Sequence, residues 1–127
     1  MRLRLRAVER SRARWLEQAQ GDLEHAELSH ANGHDEWACF AAQQAAEKAL
    51  KAVLIERRGR LVRGHDLFQL GQQAEVPKGL LERCLKLTPA YVGTRYADAP
   101  EYPAEERAEE DISTAREVIA WANSQLS

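Results

Sequence analysis

The sequence contains few of the residues that build β-sheets, and it has no long apolar run. Valine, isoleucine and threonine together account for 12 of the 127 residues, whereas alanine accounts for 21 and leucine and glutamate for 15 each. β-Branched and aromatic side chains favour strands, while alanine, leucine and glutamate favour helices. The composition therefore predicts an all-α fold. A membrane helix needs about 18 consecutive apolar residues, and because no stretch approaches that length we expect no membrane span.

Cysteine and metal-binding patterns are also scarce. The two cysteines, Cys39 and Cys84, do not form a C-x-x-C pair, which disfavours a zinc ribbon or a dithiol redox motif. We expect two buried free thiols in a reducing cytoplasm. His30 and His34 have the spacing of a helical metal site, but a glycine interrupts the helix between them, so we predict no metal. The sequence also lacks a G-x-x-x-x-G-K-[ST] phosphate loop, and we predict no cofactor.

The charge is distributed unevenly along the chain. The net charge is −2, yet the first 14 residues carry six arginines and one glutamate. They contain no apolar segment of the kind that a secretory signal has. This basic N-terminal segment either contacts a nucleic acid or an acidic partner locally, or it is a solvated extension of the first helix. The length fits a single domain over residues 1–127.

Helical periodicity predicts an antiparallel up-and-down bundle of four to five helices. Asn32-Gly33 and Gly59 are expected to end the first two helices, Asp35 to cap the second, and Pro77 to stand in the first turn of the fourth. The second helix is the richest in alanine, and we expect it to be central. The predicted segments are 8–30, 36–58, 65–74, 78–87 and 104–126.

Residues 88–103 form the one long stretch without a helical pattern. They contain all three tyrosines and three of the four prolines. We interpret this segment as a ligand-binding surface, in which Arg95 binds a phosphate and tyrosine rings stack on a base. The alternative is that the rings only cover one end of the bundle while Arg95 pairs with Asp98 or with a glutamate of the second helix. The candidate ligand-binding residues here are Tyr91, Arg95, Tyr96, Asp98 and Tyr102.

Three stretches of the chain together resemble the HEPN domain family (higher eukaryotes and prokaryotes nucleotide-binding). They are WACFAAQQAAEKALKA at 37–52, GHDL at 64–67 and TRYAD at 94–98. The resemblance implies a helical bundle that forms a homodimer and is often paired with a minimal nucleotidyltransferase in a toxin–antitoxin-like system. It thus implies a subunit that binds a nucleotide, an RNA or another substrate. A purely structural module for dimerisation and partner binding is an alternative.

Some members of the family are metal-independent ribonucleases, which makes an enzyme the rival hypothesis. Their motif is an arginine, four to six residues, a histidine and often a tyrosine two residues later. Here Arg95 and Tyr102 have that spacing, but Pro100 stands in the place of the histidine and cannot transfer a proton. Arg60 and His65 also match by spacing, although in a different loop. The resemblance therefore favours a binding subunit without catalytic residues, with Arg60 and His65 as the alternative catalytic pair.

The second helix carries one further candidate group. Glu47 and Lys48 form a charged pair in an alanine-rich context, and Lys48 is a candidate ligand-binding residue. Lys51 continues the pattern by one turn, which favours a solvated stripe over a pair that points into a cleft.

Overall fold

The computed structural model describes the backbone of residues 2–126 and the side chains of residues 5–126. Within that range the chain is helical, without strands, and the predicted all-α bundle is confirmed. None of the described helices has the combination of length and apolar character that crossing a bilayer requires. The helices are α1 (Arg2–Ala31), α2 (Asp35–Arg58), α3 (Leu67–Gln73), α4 (Lys78–Leu87), α5 (Ala90–Gly93) and α6 (Ala104–Leu126).

Helix α2 is the centre of the bundle, as its alanine content predicts. It packs mainly against α1 and α6 and less extensively against α3 and α5. Small side chains let neighbouring helices approach closely, and a helix that is covered on several sides buries residues all round. Its fully buried alanines are Ala38, Ala42, Ala45, Ala46, Ala49 and Ala52.

The contacts at the ends of the long helices show the direction of each one in the bundle. The short connection at 32–34 returns the chain, so α1 and α2 are antiparallel. Helices α2 and α6 run parallel, because Cys39 contacts the Ala104 carbonyl near the start of both and Arg57 contacts Gln125 near their ends. The segment from Gly59 through α3, α4 and α5 carries the chain back to the starting end.

The helix ends follow local chemistry with two corrections. Gly33 (φ 78°) and Gly59 (φ 68°) adopt the left-handed conformation that ends a helix, as expected. Asp35, however, is the first residue of α2 rather than its cap, because its carboxylate binds Nδ1 of His30 at 2.7 Å. Pro77 precedes α4 instead of standing in its first turn.

The basic N-terminal segment is part of the first helix. Helix α1 begins at Arg2, six residues before the predicted start. Its side chains up to residue 4 lie outside the described part. Arg12 forms an ion pair with Glu56 on α2 at 3.1 Å. At least this arginine is therefore engaged with the bundle.

The segment 88–103 is not a structureless loop. It contains the single turn α5, and it then folds back so that Tyr102 lies against Gly93. A Cβ atom at Gly93 would lie 2.9 Å from the Cβ of Tyr102 and 3.2 Å from the carbonyl oxygen of Pro100. The absence of a side chain at Gly93 therefore permits this close return.

Candidate functional site

Helix α2 buries an ion pair that the sequence pattern had assigned to solvent. Glu47 is 2% exposed and Lys51 is 6% exposed, and Lys51 Nζ lies 3.0 Å from Oε2 of Glu47. The expectation of a solvated stripe was wrong, because α2 is covered on the side where these residues lie. A buried carboxylate needs donors, and Gln43 Nε2 provides a second one at 3.3 Å from Oε1.

His65 is the third partner of Glu47 and leads from this buried group to the surface. Its Nδ1 lies 3.2 Å from Oε2 of Glu47, and its backbone carbonyl accepts a hydrogen bond from Gln43 at 3.2 Å. A carboxylate only accepts, so Nδ1 is the donor in this contact, and Nε2 of His65 is not engaged by Glu47. With 55% of its side chain exposed, His65 is accessible to a ligand.

Tyr91, in α5, stacks on His65. The two ring centroids are 4.6 Å apart and the planes differ by 11°. Phe40 lies next to Tyr91, with centroids 6.0 Å apart, and Trp37 meets Phe40 edge to face at 6.0 Å. The rings of α2 and α5 and the imidazole thus form a continuous row along one side of the bundle.

Arg95 lies on this row. Its Cζ is 5.0 Å from the Phe40 centroid and 5.3 Å from the centroids of Tyr91 and Tyr96. Its guanidinium forms no ion pair or hydrogen bond with any residue that the structure describes, and Asp98 is exposed without such a partner as well. The pairing of Arg95 with Asp98 or with a glutamate, which was the alternative interpretation, is therefore absent from the described residues. We call Phe40, His65, Tyr91, Arg95 and Tyr96 the Arg95 surface.

Tyr102 does not belong to the Arg95 surface. Its hydroxyl donates to Oδ2 of Asp111, whose Oδ1 accepts from Arg107 at 2.7 Å. Burial raises the pKa of Asp111 and of Tyr102 above their ordinary values. The ring of Tyr102 serves to fasten the end of the segment to α6.

The remaining candidates lie apart from one another. Lys48 forms an ion pair with Asp22 of α1 at 2.7 Å and lines a cavity that Phe40 also lines. Arg60 is exposed in the loop before α3 and forms no hydrogen bond or ion pair with a described residue, His65 included. His65 therefore lies on the same surface as Tyr91 and Arg95, whereas Arg60 lies apart from it.

A larger cavity of about 850 Å³ lies between the start of α2 and the start of α6. Its walls include five carboxylates, which disfavour a phosphate. They are Asp35, Glu36, Glu101, Glu105 and Glu106.

No group of three or more His, Cys, Asp or Glu side chains in residues 5–126 has the arrangement of a metal site. Both cysteines are free and buried, as expected. Burial raises the pKa of Cys84 to about 12 and that of Cys39 further.

Comparisons with known proteins agree on one family. The model of the HEPN domain matches residues 13–125. TT1696 from Thermus thermophilus is 39% identical with a TM-score of 0.80, over 90% of this chain and 97% of that one. ST0689, an archaeal HEPN homologue, is 33% identical with a TM-score of 0.76, over 91% and 98% of the two chains.

A third solved structure is an HEPN domain protein, TM0613, from Thermotoga maritima. It is 30% identical with a TM-score of 0.69, over 89% of this chain and 97% of that chain. No curated protein gives a significant match. Because the family model and these relatives span nearly the whole length, the chain belongs to the HEPN domain family.

Proposed function

We propose that this chain is the nucleotide-binding subunit of a two-component, toxin–antitoxin-like system, in which a homodimer serves a separate minimal nucleotidyltransferase. The observation that carries the proposal is the environment of Arg95. Three aromatic rings surround its guanidinium, and no carboxylate of a described residue pairs with it. The family membership supplies the expectation of a nucleotide.

The Arg95 surface has the two kinds of group that a nucleotide requires. A guanidinium that lies against aromatic rings keeps its planar N–H fork for a phosphate. Tyr96 is 54% exposed and offers a flat face to a base or a sugar. Arginines are also frequent in residues 2–14 and 57–63, whereas beside Arg95 the rings of Phe40, Tyr91 and Tyr96 add aromatic faces to the cation.

The exposed apolar residues on α1 and α2 support the homodimer and the partner. Leu28 and Trp37 are each 63% exposed. Large exposed side chains of this kind are enriched where proteins associate. Light scattering at micromolar concentration tests the dimer, and co-purification with a nucleotidyltransferase encoded beside this chain tests the partner.

Calorimetric titration with ATP tests the ligand. Loss of one charged contact to a phosphate costs about 1.5–3 kcal/mol, so Arg95→Ala should weaken binding by about tenfold to hundredfold. Arg95→Lys should recover only part of the affinity, since lysine lacks the planar fork. Arg63→Ala, which removes an exposed arginine from the loop before α3, is the matched control and should bind normally.

If the wild-type protein dimerises but binds no nucleotide, the chain is a structural module instead. If Arg95→Ala lowers the melting temperature sharply and leaves the affinity unchanged, Arg95 is a clamp on the bundle.

The pairing of Glu47 with His65 favours a second candidate function, cleavage of single-stranded RNA. In this reaction Nε2 of His65 takes the proton of a 2′-hydroxyl, the 2′-oxygen bonds to phosphorus, and the 5′-oxygen leaves with a proton from water. Arg95 would stabilise the charge on the phosphate. A 2′,3′-cyclic phosphate product that disappears in His65→Gln, without loss of helical circular dichroism, would establish this function. The binding proposal expects no cleavage.

A further inference from the structure

A second concave surface lies beside the Arg95 surface, between α1 and α2. Its volume is about 380 Å³, which falls within the range of about 300–1,000 Å³ that small-molecule sites have. Aromatic side chains form part of its wall and hydrogen-bonding groups form the rest. The side chains that line it include Asp22, Trp37, Phe40, Gln44 and Lys48. We call it the α1–α2 cavity.

Phe40 connects the two sites. One ring lines the α1–α2 cavity, and the same ring lies 5.0 Å from Cζ of Arg95. A planar ligand in the cavity would therefore have an arginine beyond one edge of its aromatic wall. This order, a base site next to an unpaired cation, matches the order of groups in a nucleotide.

The polar wall of the cavity contains a carboxylate oxygen without a hydrogen-bond donor. Oδ2 of Asp22 is buried, and Lys48 Nζ lies 2.7 Å from it as a charge partner. The ammonium offsets the charge of the carboxylate, and Oδ2 has no hydrogen-bond partner among the described residues. Because 25% of the Asp22 side chain is exposed, the carboxylate can also accept hydrogen bonds from a ligand in the cavity.

We propose that the α1–α2 cavity binds the guanine base of a guanine nucleotide whose phosphate lies on Arg95. Guanine presents a carbonyl oxygen, a ring N–H and an amino group side by side on one edge. Lys48 matches the carbonyl, and the carboxylate of Asp22 matches the two donors. Trp37 and Phe40 meet edge to face, so the exposed Trp37 ring can give the base a flat face while Phe40 borders it.

Other bases fit this pair of residues less well. Adenine places an amino group and an unprotonated ring nitrogen on the same edge, so a donor meets Lys48 and an acceptor meets Asp22. Hypoxanthine keeps the carbonyl and the ring N–H but lacks the amino group. The order of affinity should therefore be guanine, then hypoxanthine, then adenine, because Asp22 can only accept.

This inference rests on the proposed function, and comparison of GMP, IMP and AMP by calorimetry tests the two separately. The three ligands share the ribose and the phosphate, so Arg95→Ala should weaken all of them alike. A bidentate contact to a base is worth roughly tenfold to hundredfold in discrimination, and GMP should exceed AMP by that factor. Asp22→Asn should remove most of the difference. Glu24→Gln makes the same change of charge at an exposed site two residues along α1 and should preserve it.

Equal affinities for GMP and AMP, or an unchanged ratio in Asp22→Asn, would overturn the guanine assignment while the requirement for Arg95 still supported the nucleotide proposal. Absence of binding by all three ligands would overturn both. Trp37→Ala should reduce GMP affinity severalfold through lost stacking. Normal GMP binding by this variant would place the base outside the cavity.

Discussion

Two clusters of similar chemistry lie at opposite ends of the segment 88–103, and they differ in their access to solvent. Each contains a tyrosine, a basic side chain and a buried carboxylate: Tyr91 lies beside the Glu47–Lys51–His65 group, and Tyr102 binds Asp111 with Arg107. In the second cluster the hydroxyl and the guanidinium are both used by Asp111. In the first, His65 and the adjacent Arg95 keep groups that face outwards. Similar residues thus fasten the segment at one end and form a surface at the other.

The comparison predicts its largest effect at Asp111. Asp111→Ala removes a fully buried carboxylate, leaves Tyr102 without its acceptor and leaves Arg107 with Glu110 alone, at 3.2 Å. Breaking a buried pair in this way typically costs about 3–5 kcal/mol, and chemical denaturation should show a loss of that size. The control is Asp98→Ala, at an exposed and unpaired carboxylate, which should change stability by less than about 0.5 kcal/mol.

Glu47→Gln should lower the free energy of unfolding by somewhat less than Asp111→Ala does, by about 2–3 kcal/mol, because solvent reaches this cluster through His65. The loss arises from the charge of Lys51, which stays buried without a counter-ion. The double variant Glu47→Gln with Lys51→Met should be more stable than the single variant, and a double-mutant cycle measures the difference. If the double variant is no more stable than Glu47→Gln alone, the Lys51 ammonium reaches solvent once Glu47 is replaced, and the whole cluster is accessible to solvent.

Removal of the hydroxyl group should have a smaller effect on stability, and the effect should differ between the two tyrosines. Tyr102→Phe leaves Oδ2 of Asp111 without its donor and should cost about 1–3 kcal/mol. In Tyr91→Phe the hydroxyl has no hydrogen-bond partner among the described residues, and the ring still stacks on His65, so the change should stay below about 0.5 kcal/mol. Equal losses in the two denaturation curves would contradict the assignment of Tyr102 as the fastening residue.

The smallest effect concerns pH. The pKa of Tyr102 is raised in the folded state by burial and by Asp111. Above about pH 10 the unfolded chain loses the phenolic proton that the folded chain retains. The free energy of unfolding should therefore fall as pH rises past that value. Tyr102→Phe should have a shallower alkaline decline than the wild type in thermal melts from pH 8 to 11, and an identical slope would exclude this linkage.

The sequence predicts the bundle well because its helices carry strong local signals. Periodic apolar residues, Gly33 and Gly59 define α1 and α2, and the bounds of α4 and α6 agree with the predicted 78–87 and 104–126. The start of α1 was placed at residue 8, although one interpretation of the basic segment already extended the helix through it. Arginine is a good helix former, and the helix continues through it.

The candidate site was predictable only in part. Arg95 and Tyr96 lie close in sequence, so their shared surface follows from the segment itself. His65 and Tyr91 are separated by α3 and α4, and no local pattern brings them together. One signal was available for Glu47: Gln43, Glu47 and Lys51 repeat every four residues on one helical face, between buried alanines. Such a polar row within an alanine-rich helix indicates a buried network as well as a solvated stripe.

The two buried thiols have a practical consequence for spectroscopy. Maleimides react with thiolates. Burial keeps such reagents away from Cys39 and Cys84 and raises the pKa of both thiols, so few thiolates form. A cysteine introduced at an exposed position, such as Asp98→Cys, should therefore take a fluorophore selectively while both native cysteines remain in place. A single dye at the rim of the Arg95 surface would then report ligand arrival in real time, in a protein that needs no cysteine-free background.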